Sequence, residues 1–145
     1  MQTFLPYPCY HSSAESLDQV RLGRQRSEAL TLLRGGWPFH LAAKMWKGYE
    51  YHLGLYCLAV CEVWRDYGFR DTVYDKALQE VRKLKKGPQP PWIGWELFHS
   101  RHRAALLYKD YAFYSRLGWS EKPLLDYVWP TKSLYLFPQE HSTIY

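Results

Sequence analysis

Residues 42–68, AAKMWKGYEYHLGLYCLAVCEVWRDYG, place Ala42, Met45, Tyr49, Leu53, Tyr56, Val60, Val63 and Tyr67 at steps of three or four. That period gathers apolar side chains on one side of an α-helix, so the stretch predicts a long amphipathic helix ending at Gly68. Helical patterns flank it on both sides. Upstream, Ser12 and Glu15 have the spacing of a capping box, and Leu17, Val20, Ala29, Leu32 and Leu33 continue an apolar pattern to Gly35 and Gly36. A first helix is therefore expected from near Ser12 to that glycine pair. Downstream, Asp71 or Thr72 can cap a third helix carrying Val73, Ala77, Val81 and Leu84. Its end, RKLKKGPQPP, is a basic last turn followed by breakers, so Arg82, Lys83, Lys85 and Lys86 read as ordinary helix termination. A fourth helix is expected from Trp95 to Leu107, with an extension toward Leu117.

The ends are different in kind. TFLPYPCY carries two prolines, which lack amide donors and bias the preceding residues away from helix, so an extended N-terminal segment is expected. Beyond Gly118 the tail is aromatic and proline-punctuated, with DYVWP its most core-like stretch. No strand alternation is strong enough to build a sheet, and there is no internal repeat or low-complexity segment. The expected architecture is all-α: a compact single-domain helical bundle over residues 1–145, with an extended start and an irregular aromatic tail.

Composition bounds the function. The chain has 145 residues, 47% hydrophobic, 18% aromatic and 23% charged, which describes a globular domain. Its net charge of +5 favours a polyanionic partner, because cations that displace counterions from a phosphate backbone supply most non-specific affinity. No apolar run approaches a membrane span, and MQTFLPYPCYHSS lacks a basic n-region and an h-region, so a soluble, cytoplasmic protein is expected. Cys9, Cys57 and Cys61 are an odd count without a secretory signal and read as reduced thiols, the latter two as buried small residues. No glycine-rich nucleotide loop, HExxH or serine-nucleophile elbow is present.

The chemistry-bearing candidates lie in RLGRQRSEAL, residues 21–30. Arg21, Arg24 and Glu28 follow the spacing of one helix face, while Arg26 points to the side. Arg24 and Glu28 can pair directly, either as a surface ion pair or as part of a face that grips phosphate around one carboxylate. Gly23 costs about 1 kcal/mol relative to alanine within a helix, and close approach of another backbone, the N-terminal segment for example, would explain it. A second set is His99, His102, Arg103 and Lys109. The two histidines can share a face as proton donors, phosphate contacts or metal ligands, but no third metal ligand is assured. His40 and His52 read as packing or hydrogen-bonding residues. Tyr114 and Trp119 suit base stacking and core packing equally.

The order of these features resembles the pyrimidine-dimer DNA glycosylases of the endonuclease V type. RSEAL falls where that family has an Arg-Glu pair in its first helix, and WRDYGFRDT, HSRHRAALLYKD and the stretch through GWSEKP occupy corresponding places. MQTFLPYP, LGRQR, HSRHR with LLYKD, and YVWP are closer still to a bacterial branch grouped with it. The resemblance implies a metal-independent glycosylase and abasic-site lyase without cofactor, monomeric and acting on double-stranded DNA. The chain's α-amine attacks the sugar C1′, a Schiff base forms, and β-elimination breaks the strand. By the same resemblance Glu28 inherits the catalytic carboxylate role and Met1 supplies the amine. Arg21, Arg24 and Arg26, with His99, His102, Arg103 and Lys109, would contact DNA. Two departures stand out: Gln2 should retain Met1 where well-known members expose a threonine, and Ser27 occupies the place of the arginine before the glutamate. The alternatives are a non-catalytic nucleic-acid-binding module, an interaction protein that needs no DNA, and an enzyme of the same fold acting on a hypermodified base.

Overall fold

The computed structural model describes residues 1–130. Its regular elements are α1 (Tyr10–Ser16), α2 (Gln19–Leu33), α3 (Leu41–Trp46), α4 (Glu50–Asp66), α5 (Tyr74–Arg82), α6 (Glu96–Lys109) and α7 (Tyr111–Tyr114), followed by a 3₁₀ turn at Ser115–Leu117. Among the described residues there is no strand, as the all-α reading expects. Helix α4 is the spine: α1, α2 and α5 pack against it, and nine of its residues are buried, from Leu53 to Val63.

Two expected helices are each divided. The span from Ser12 to Gly35 breaks at Leu17 and Asp18, which are extended. Cys9, not Ser12, caps α1, its Sγ accepting the Ser12 N–H at 3.4 Å. Asp18 caps α2 through its carboxylate and the Arg21 N–H at 3.3 Å. The break resets the phase of the pattern, so Val20, two residues from the buried Leu22, faces solvent. The second span breaks at Gly48, whose φ of +90° no helix accommodates. The Gly48 N–H turns instead to the Glu50 carboxylate. Asp71 does cap α5, accepting the Val73 and Tyr74 N–H groups at 3.2 and 2.7 Å. Helix α6 stops at Lys109, because Asp110 leaves helical geometry and caps α7.

Gly23 has a different neighbour from the one expected. A Cβ there would lie 3.1 Å from the Trp64 ring, so the close approach is to an aromatic side chain of α4 and not to backbone. Cys57 and Cys61 are buried in α4, and DYVWP lays Tyr127, Val128 and Trp129 half-buried against the core.

The extended N-terminal segment is part of the interior. Gln2, Thr3, Phe4 and Leu5 are buried, and each finds polar or apolar partners from distant helices. The Leu5 N–H donates to His102 Nδ1 and the Leu5 carbonyl accepts from His99 Nδ1, both at 2.8 Å. Trp46 Nε1 donates to the Thr3 hydroxyl at 3.0 Å. A strand without a sheet must satisfy its backbone groups by side chains, and these contacts do so.

Candidate functional site

The first turns of α2 face the N-terminal residues of the chain. Around them lies a pocket of about 490 Å³ lined by Met1, Gln2, Phe4, Arg21, Arg24, Gln25, Glu28, Lys109, Leu125 and Tyr127. Arg21, Arg24, Lys109 and the Met1 α-amine are its basic groups, and Glu28 is the single carboxylate among the lining residues. Phe4, Leu125 and Tyr127 form an apolar side, with Phe4 edge-on to Tyr127 at 6.5 Å between ring centroids.

Gln25 ties this site together. Leu22, Gln25, Ala29 and Leu32 are all buried at helical spacing, so a polar residue occupies a core position of α2. Its amide nitrogen donates to the Gln2 carbonyl at 2.7 Å and to Glu28 Oε2 at 3.2 Å. Its amide oxygen accepts the Phe4 N–H at 3.0 Å. The Tyr56 hydroxyl of α4 lies 2.7 Å from that oxygen and 2.9 Å from the Phe4 carbonyl. One buried amide thus registers the segment that carries the α-amine against the helix that carries the carboxylate.

Glu28 is half-buried, and loss of water raises its pKa above the ordinary carboxylate value, even though the Met1 amine and Arg24 pull the other way. It is a carboxyl poised to exchange a proton nearer neutrality than a solvated glutamate. The direct Arg24–Glu28 pair does not form; Arg24 acts on the carboxylate only as a nearby charge. Arg24 and Lys109 are exposed and enter no ion pair among the described residues. Arg21 is held by Asp18 at 3.1 Å, and Asp18 in turn accepts the Tyr114 hydroxyl and lends that oxygen its own N–H at 3.0 Å.

The remaining expected DNA contacts are engaged elsewhere. His99 and His102 are fully buried, which removes them from any DNA surface. His99 Nε2 accepts the Gly94 N–H at 2.9 Å, so its proton sits on Nδ1, donated to Leu5. Burial lowers the pKa of both histidines and keeps them neutral. Arg103 donates to the Pro6 carbonyl at 2.7 Å and to Glu121 at 2.9 Å, and also pairs with Glu96. These three residues anchor the N-terminal segment. Arg26 points away from the pocket, bonded to Asp71 at 2.5 Å and stacked 4.4 Å over the Trp64 ring. Tyr114 and Trp119 are stacked at 5.7 Å, and Trp119 Nε1 donates to the Tyr7 hydroxyl at 2.7 Å, so both serve packing. His40 caps α3 and His52 bonds Tyr10, as hydrogen-bonding residues.

Gln25, Gln2, Tyr56, Phe4 and Tyr127 join the pocket and its hydrogen bonds without being marked by charge or helix-face spacing in the sequence. The signal was a glutamine in the apolar stripe of α2, three residues before Glu28. Among the described residues no group of histidines, cysteines and carboxylates could hold a metal ion, and no helix is long and apolar enough to cross a membrane.

The N-terminal segment and α2 thus bring the half-buried Met1 into one pocket with a single carboxylate and three basic side chains. The profile of the family described as pyrimidine dimer DNA glycosylase matches residues 1–77, more than half of the sequence, and the chain belongs to this family. No curated protein and no solved structure matches it. Membership makes DNA the substrate class and base excision the activity of the family to which the site is related.

Proposed function

We propose that the protein excises a damaged or modified pyrimidine from double-stranded DNA and then cleaves the strand at the abasic site, working as a monomer. The observation that carries this reading is the junction of α-amine and Glu28 through Gln25 in a pocket rimmed by Arg21, Arg24 and Lys109. The pyrimidine's glycosidic bond leaves C1′ with its electron pair on the base, which takes up a proton. The Met1 amine, as its free base, donates its lone pair to C1′; after nitrogen loses a proton, the C1′–O4′ bond breaks onto O4′, which takes up a proton, and C1′ is left as an iminium. Removal of a C2′ proton then expels the 3′ phosphate by β-elimination. Glu28, with its raised pKa, is the group that gives and takes these protons and offsets positive charge at C1′. Arg24 and Lys109 hold flanking phosphates.

Borohydride reduction in the presence of duplex DNA bearing an abasic site tests the reading. A covalent adduct is expected on the wild-type protein, mapped by mass to the N-terminal peptide and absent when the α-amine is blocked. Glu28→Gln should lose base release by about 100-fold or more while retaining DNA binding. Neither adduct nor base release across irradiated and modified duplexes would exclude the enzyme. Ser27, whose hydroxyl turns back to the Arg24 carbonyl at 3.2 Å, leaves the rim without one expected guanidinium. That difference favours comparing modified pyrimidines with dimers as substrates.

A further inference from the structure

The loop 36–40, GWPFH, carries the most exposed large apolar side chain among the described residues. Phe39 is 87% exposed and Trp37 49%, and Leu41 beyond them is 40% exposed. Trp37 has φ of +52°, a conformation disfavoured for a bulky residue. The loop is nevertheless tightly held. The Gly36 N–H donates to the Thr31 carbonyl at 2.8 Å, the His40 N–H to the Trp37 carbonyl at 3.0 Å, and His40 Nδ1 accepts the Ala42 N–H at 3.0 Å. A Cβ on Gly36 would fall 2.5 Å from Thr31, so the chain is pressed onto the end of α2. Rigid exposure of two large aromatics, one with strained backbone, points to a contact that the isolated protein does not make.

The position and charge of the loop indicate what it meets. His40 lies 6.0 Å from the Trp129 ring, Trp129 lies 5.6 Å from Tyr127, and Tyr127 lines the pocket of Glu28. His40 also feels the positive α-amine of Met1, which together with partial burial lowers its pKa. His40 thus links the loop to the Glu28 pocket through two ring contacts, while Phe39 itself lines a separate hollow at the end of α2. There, Lys44 and Lys47 are exposed and form no ion pair among the described residues. An exposed ring that shares a hollow with two lysines outside any ion pair suits a base stack flanked by phosphates, and a surface for another protein would not need those cations.

We propose that this loop is a DNA wedge: Phe39, backed by Trp37, enters the base stack beside the Glu28 pocket while Lys44 and Lys47 hold the neighbouring phosphates. The inference rests on the DNA-excision reading above and adds how the duplex is opened. Insertion offsets the stacking lost when the target nucleotide leaves the helix.

A duplex carrying a tetrahydrofuran abasic analogue with 2-aminopurine next to it is the probe, since it binds without turnover. Wild type should raise 2-aminopurine fluorescence as the step unstacks. Phe39→Ala should lose most of that rise and bind about tenfold more weakly, and Phe39→Leu should restore part of both. Lys44→Ala with Lys47→Ala should lower the salt dependence of duplex binding. A Phe39→Ala protein that unstacks and binds the duplex like wild type overturns the wedge and leaves the excision reading standing. So does one that keeps DNA binding and loses only self-association in sedimentation. Failure of wild type to bind duplex DNA at all overturns both.

Discussion

Gln25 donates to the carbonyl of Gln2 at 2.7 Å, which fixes the second residue of the chain to the middle of α2. Because the same amide reaches Glu28 and takes up the Phe4 N–H and the Tyr56 hydroxyl, it holds in register both members of the proposed reacting pair. Gln25→Leu keeps the volume and removes every polar bond, leaving at least two buried groups without partners at about 1–3 kcal/mol each. A stability loss of about 3 kcal/mol is expected from urea denaturation. Gln25→Glu keeps the acceptor and turns the donor into an oxygen that faces the Gln2 carbonyl and Glu28, so its chemistry is compared on protein shown to be folded by circular dichroism. Its borohydride trapping rate should fall more than its DNA affinity; an unchanged trapping rate would remove Gln25 from the mechanism.

The histidine clamp makes the N-terminal segment sensitive to acid. His102 accepts the Leu5 N–H, so it must be neutral there, and its pKa is well below the ordinary 6.5 because of burial first and the neighbouring His99 and Arg103 second. The unfolded chain therefore binds more protons than the folded one below that ordinary value. The clamp's stability is fully present above about pH 6.5 and is lost as pH falls toward the folded-state pKa. The denaturation midpoint should drop between pH 7.5 and pH 5. His102→Asn, whose amide oxygen can accept the same N–H, should start less stable and show a flatter pH dependence; an unaltered slope would assign the acid sensitivity elsewhere.

The parts of the fold that could be read from sequence are those with short-range causes. The three-and-four spacing of α4, the Asp71 cap of α5 and the common face of Arg21, Arg24 and Glu28 all follow from neighbours within a few turns. The interruptions at Leu17 and Gly48 were hidden because the apolar pattern runs through both, and only Asp18 and the left-handed Gly48 mark them. His99 and His102 looked like surface ligands because their partner, Leu5, lies 94 and 97 residues away in sequence. Gln25 is conspicuous as a glutamine in an apolar stripe, but the four groups it joins come from residues 2, 4, 28 and 56, three of them far along the chain or in another element. Charge spacing therefore located the site, and long-range polar contacts decided which charges are available to it.

Packing of α5 on α4 depends on the absence of a side chain at Gly54. A Cβ there would lie 2.4 Å from Val81 Cγ2, and valine has little rotamer freedom with which to move. Gly54→Ala should therefore destabilise by about 1–3 kcal/mol, despite the better helix propensity of alanine. Val81→Ala opens the space, so the double variant should be more stable than the sum of the two single losses. Additive losses in denaturant unfolding would mean that the two helices part instead of sharing that contact.

The arginines of α2 differ in what they do, although they are two residues apart. Arg24 is exposed on the pocket rim, whereas Arg26 is spent on Asp71, a carboxylate with only 1% of its side chain exposed. Arg24→Ala should leave the unfolding midpoint nearly unchanged and reduce the slope of log affinity against log salt by about 1, as loss of one phosphate contact requires. Arg26→Ala should cost about 2–3 kcal/mol of stability, because Asp71 would keep only the more distant Arg65 at 3.5 Å as a cation partner. Its salt slope should match wild type wherever the variant is folded. The reverse pattern, with Arg26 carrying the salt dependence and Arg24 the stability, would require the phosphate path to cross the other side of α2, away from Glu28.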